Sequence, residues 1–119
     1  MKFVQALAAQ DDEALGMCFA PDVELRALIP PGFRECTGAG DAVALISGWF
    51  VDSTELRLLD LRTDEIADRF HIAYRFEGVE DGQPYVVEQS LYCRLHADLI
   101  ERADLLCSGF RPTGEADEA

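Results

Sequence analysis

The stretch Tyr74–Gln89, YRFEGVEDGQPYVVEQ, decides the fold. Its centre, Asp81-Gly82, is a strong two-residue hairpin signal, because the favoured tight turn needs positive φ at both positions. With these two as the turn, Phe76 faces Val87, Tyr74 faces Gln89, Ile72 faces Leu91 and Phe70 faces Cys93. Side chains alternate across a strand, so all of these share one face. Arg75 with Glu88 and His71 with Tyr92 fall on the other. A slip of one residue would bury the charges, which favours this register.

Outward from the hairpin, the strands extend into a β-meander over about Thr54–Thr63, Glu65–Glu77, Gln83–Leu95 and Asp98–Gly109. The short His96-Ala97 link reads as a second tight turn. That turn predicts Ile100 opposite Cys93, Arg102 opposite Leu91, Asp104 opposite Gln89 and Leu106 opposite Val87. The expected result is a polar row, Tyr74–Gln89–Asp104, on an otherwise apolar face, with Arg102 two residues from Asp104. Buried polar groups need partners, water or a ligand.

Toward the N-terminus, Phe3, Val4, Leu7 and Ala8 share a helical face, and Leu15, Cys18 and Phe19 continue it beyond Asp11-Asp12-Glu13. Asp11 or Asp12 can cap the second short helix. Ala20-Pro21-Asp22 ends it, and Val23–Ile29 reads as a strand stopped by Pro30-Pro31. A glycine-punctuated loop from Gly32 to Gly40 leads to a helix capped by Asp41 and running through Phe50. Ala42, Leu45, Ile46 and Trp49 share one of its faces. Helices first and a sheet afterwards make an α+β pattern.

The chain has 119 residues, 49% of them hydrophobic, which is one domain's worth of core. We expect a single domain over 1–112, with an acidic, disordered tail over 113–119. Ten Lys and Arg against 23 Asp and Glu leave a formal charge of −13, which repels nucleic acid and anionic membrane. No apolar run reaches the length of a spanning helix, and Met1-Lys2-Phe3 opens no signal peptide, so a cytoplasmic protein is expected. Cys18, Cys36, Cys93 and Cys107 form no CxxC pair and read as reduced structural thiols. The two histidines, His71 and His96, are not placed to build a metal site, and Asp11-Asp12-Glu13 reads as a solvated helix start.

In order and length, the segments EALGMCFAPDVEL (Glu13–Leu25), GAGDAVALISGWF (Gly38–Phe50), Tyr74–Gln89 and LIERADLLCSGFRP (Leu99–Pro112) resemble the nuclear transport factor 2-like superfamily, and within it the SnoaL-like proteins. The likeness spans most of the chain. It implies a cone: a curved antiparallel sheet wrapped around N-terminal helices, with a pocket at the wide end. It also implies a homodimer through the convex sheet face, here His71, Arg75, Glu88 and Tyr92. The first helix begins about two turns later than in most such proteins, which leaves one pocket wall short or supplied by a partner.

Relatives include ketosteroid isomerases, polyketide cyclases, limonene epoxide hydrolases and non-catalytic binding modules, so fold alone does not choose a function. The isomerase base position matches Ala27, and the isomerase oxyanion-hole acid falls near Leu91. The hydrolase Arg-x-Asp lands on Ile72 and Tyr74, and its water-positioning residues on Leu25 and Ala27. One position survives, Asp104 in RADLL.

Two roles stand open for Asp104. It is either a general acid or base in an apolar pocket or a buried partner of Arg102. Tyr74 and Gln89 either orient a ligand oxygen or satisfy a neighbour, and Trp49 either walls the pocket or packs in the core. The resulting expectation is cofactor-free proton transfer of isomerase, cyclase or hydratase type on a small hydrophobic or mixed-polarity molecule. The alternative is a non-catalytic ligand-binding or protein-interaction module.

Overall fold

The computed structural model describes residues 2–30 and 32–113. From residue 114 the expected acidic tail lies outside the described residues, as does Pro31 of the expected strand stop. In chain order the elements are α1 (Lys2–Ala8), α2 (Asp12–Gly16), β1 (Phe19–Ile29), β2 (Gly32–Thr37), α3 (Ala39–Gly48), β3 (Ser53–Ile66), β4 (Arg69–Glu80), β5 (Gln83–His96), β6 (Leu99–Cys107) and β7 (Arg111–Pro112). No helix among the described residues is long and apolar enough to cross a membrane.

The helices form where apolar spacing and caps agree. Helix α1 buries Phe3, Val4, Ala6 and Leu7, while the Asp11 carboxylate caps α2 by accepting from the Ala14 N–H at 3.1 Å. Helix α3 is capped by Gly38 at φ 102°, with Asp41 inside its first turn rather than at the cap. It buries Ala42 and Ile46.

Among the described residues the sheet has seven strands in the order β2-β1-β6-β5-β4-β3, with β7 beside β5. It is curved and unclosed. Every neighbouring pair is antiparallel except β1 with β6, which run parallel. The segment read as a loop after Gly32 is in part strand β2, paired with Glu24–Ile29 of β1. As a largely exposed edge strand with only Cys36 packed against the core, it lacks the apolar alternation that would have marked it. Strand β1 also starts earlier than expected, at Phe19, with an irregularity between Phe19 and Glu24. Such bulges, also present in β3, bend the sheet over the helices.

The central hairpin has the expected register: Phe76 pairs with Val87, Tyr74 with Gln89, Ile72 with Leu91, and Phe70 with Cys93. Asp81 and Gly82 have φ of 52° and 76°, the values its turn requires. Near the same turn Gly78 opposes Tyr85, whose ring lies across the glycine. A Cβ at Gly78 would stand 2.7 Å from the Tyr85 hydroxyl, which instead hydrogen-bonds the Ser53 hydroxyl at 2.7 Å.

The next hairpin departs from expectation. Its turn is Ala97-Asp98, at φ 52° and 66°, one residue later than His96-Ala97. His96 then pairs with Leu99 and Leu95 with Ile100, but beyond a bulge Arg94 pairs with Arg102. The extra residue, Glu101, reverses which side chains of β6 point inward. Cys93 therefore pairs with Ala103, Leu91 with Leu105 and Gln89 with Cys107. Without the bulge, Arg102 and Asp104 would enter the core, a burial of charge costing more than a local break in the ladder.

Candidate functional site

The polar row on the inner face is Tyr74–Gln89–Cys107 rather than Tyr74–Gln89–Asp104. Tyr74 donates to Gln89 Oε1 at 2.6 Å, and Gln89 Nε2 donates to the Cys107 sulfur at 3.5 Å. The Gly109 N–H donates to the same sulfur at 3.4 Å. Tyr74 and Gln89 are both buried, so they satisfy one another within the core. Burial, with a smaller push from Cys107, holds the Tyr74 phenol well above its ordinary ionisation range, so the hydroxyl stays a proton donor.

Asp104 stands on the outer face, opposite Tyr92. Its carboxylate accepts from Arg26 Nε at 2.8 Å, with Arg69 Nη1 at 3.9 Å. Arg102 is its neighbour on the same face and not its ion-pair partner. Both side chains of the Arg26–Asp104 pair are substantially exposed, at 47% and 34%. The same face carries His71 stacked on Tyr92, with ring centroids 4.4 Å apart, and Arg75 bonded to Glu88 at 2.7 Å. Trp49 ends α3 half-buried against the core. The structure thus brings Tyr74 and Gln89 together on the inner face and places Asp104 and Arg102 on the outer one.

Open space lies elsewhere on the inner face. A groove of about 730 Å³ runs between α1–α2 and the ends of β4, β5 and β6. Its apolar wall is formed by Phe3 and Ala6 of α1, Phe70 and Ile72 of β4, Cys93 of β5 and Ile100 of β6. Lys2, Asp11 and Asp98 stand at its rim. Burial raises the Cys93 thiol to about 11, with Arg69 pulling weakly the other way. It also raises Cys18, against the opposing pull of Lys2. Both wall thiols are therefore protonated near neutral pH and poor nucleophiles.

The wall residues were legible as an apolar face but not as a groove. The signal was length: seven helical residues span about 10 Å, whereas the twelve of β4 span about 40 Å. A helix that short cannot cover the strands beneath it. Among the described residues, no group of three His, Cys, Asp or Glu side chains is placed to hold a metal ion.

This arrangement is a nuclear transport factor 2-like fold, and solved structures share it. A protein of ketosteroid isomerase-like fold from Catenulispora acidiphila, in complex with trimethylamine, superposes with a TM-score of 0.70 at 16% identity, over 87% of this chain and 80% of that one. A candidate polyketide cyclase from Xanthomonas campestris gives 0.70 at 19%, over 88% and 84%. A candidate isomerase from Bacillus subtilis gives 0.74 at 11%, over 87% and 79%. No protein-family model matches the chain. No curated protein matches it in sequence. At these identities the likeness carries the fold, and the chemistry must be argued from the site.

Proposed function

We propose that this chain is a small-molecule-binding module that takes an apolar ligand into the groove between α1–α2 and the inner sheet face. The observation that carries this reading is the groove itself, about 730 Å³ with apolar walls from three strands and a helix. That volume is within the range of ligand pockets. Proton transfer of isomerase, cyclase or hydratase type, with Asp104 as acid or base, finds less support. A general acid or base must reach the ligand. The groove's carboxylates are on its rim, and Asp104 lies across the sheet beside Arg26.

Nile red, a neutral apolar dye, tests this reading. One dye is expected to bind per chain, and Ala14→Phe, which adds a ring at the groove wall, is expected to weaken binding by more than about tenfold. Asp104→Asn should leave the affinity unchanged. Binding indifferent to Ala14→Phe would overturn the reading.

The outer face supports a second proposal, pairing of two copies. Leu106 is 48% exposed there, and His71 Nε2 is buried without a hydrogen-bond partner among the described residues. An unsatisfied buried donor or acceptor favours a contact that completes it. Sedimentation velocity should show a dimer that Leu106→Asp converts to monomer. A monomeric wild type would sink the idea.

A further inference from the structure

We propose that the groove prefers lipophilic amines to lipophilic acids: its occupant has an apolar body and a cationic head. This rests on the ligand-binding reading above and adds the class of ligand. The body is specified by the wall, where Phe3, Phe70, Ile72, Cys93 and Ile100 offer no charge. The head is specified by the rim, where among the described residues Asp11 and Asp98 outnumber Lys2. Asp98 is exposed in the Ala97-Asp98 turn, at φ 66°. It takes part in no salt bridge among the described residues. Asp11 has one oxygen committed to the Ala14 N–H, and its other oxygen has no hydrogen-bond partner among the described residues.

The long-range field has the same sign. With a formal charge of −13, the molecule attracts cations to any low-dielectric cleft and repels carboxylates from it. An ammonium at the rim keeps contact with water, so it gains attraction without paying full desolvation. A carboxylate at the same place would meet the like charges of Asp11 and Asp98 at the rim, while Arg69, the cation that acts on Cys93, is engaged by Asp68 and Asp104.

Three probes with one tail separate the terms: octylamine, octanol and octanoate, titrated below their micelle concentrations. The readout is the amide NMR shifts of Ala6, Ile72 and Ile100. The amine is expected to bind about tenfold tighter than the acid, with the alcohol between. Asp98→Asn should shrink that ratio severalfold while leaving octanol affinity unchanged, and added salt should compress it. Equal affinities for amine and acid would overturn the charge preference while leaving the groove a ligand site. Shifts at none of the three amides, with any probe, would overturn both.

Discussion

Tyr74 and Gln89 show how a buried polar pair can be structural. Each lies on the inner face of a central strand, and together with Cys107 they close a short chain of hydrogen bonds. Tyr74→Phe removes the donor and leaves Gln89 Oε1 buried without its partner, which should cost about 1–3 kcal/mol by urea denaturation. Adding Gln89→Leu should recover part of that loss, because no orphaned acceptor then remains. Additive costs would mean that the two side chains are uncoupled. Asp104 belongs to the opposite case. Its pair with Arg26 is largely solvated, and exposed pairs contribute little to stability. The Tyr74–Gln89 contact was readable from the Asp81-Gly82 turn, whereas the third member of the row was not. It depended on a turn and a bulge in the following hairpin.

At the scale of elements, that hairpin is the instructive one. The bulge leaves a trace in the sequence Leu99–Cys107: Ile100 and the set Ala103, Leu105 and Cys107 have opposite parity along one strand. All can point inward only if one residue between them is extra, and Glu101 is that residue. The turn is also strained, since Ala97 holds φ 52°, a region disfavoured for residues with a Cβ. Ala97→Gly should therefore stabilise the protein by about 0.5–1 kcal/mol, read as a higher thermal midpoint. A lower midpoint would mean that the entropy of the unfolded glycine outweighs the relieved strain. Strand β2 was invisible for a different reason. A largely exposed edge strand with one side chain on the core has no periodicity to detect.

At the scale of the whole molecule, burial of ionisable groups sets a pH limit. The Cys93 thiol is raised by burial from 9.0 to about 11, and the Tyr74 phenol is raised as well. Below about pH 9 folded and unfolded chains both hold the Cys93 proton, so its contribution is complete. From 9 to about 11 the unfolded chain loses a proton that the folded chain keeps. Stability must then fall as pH rises. The urea midpoint should decline over this range, and Cys93→Ala should make the decline shallower. An unchanged slope in Cys93→Ala would show that this thiol does not contribute.

Legible in the amino-acid order were the α+β class and the central hairpin, with its register and its apolar and charged faces. These follow from local turn chemistry and from side-chain alternation, which act between near neighbours. Tertiary structure alone decided where the open space lies and which groups border it. The face presented by Asp104 depends on one bulge, because moving the turn by a residue changes its partner but not its side of the sheet. The groove depends on how far a seven-residue helix reaches across strands from the other end of the chain. The groove is a long-range difference in length that no single segment carries, whereas the bulge is local to one hairpin and moves a charged side chain from one side of the sheet to the other.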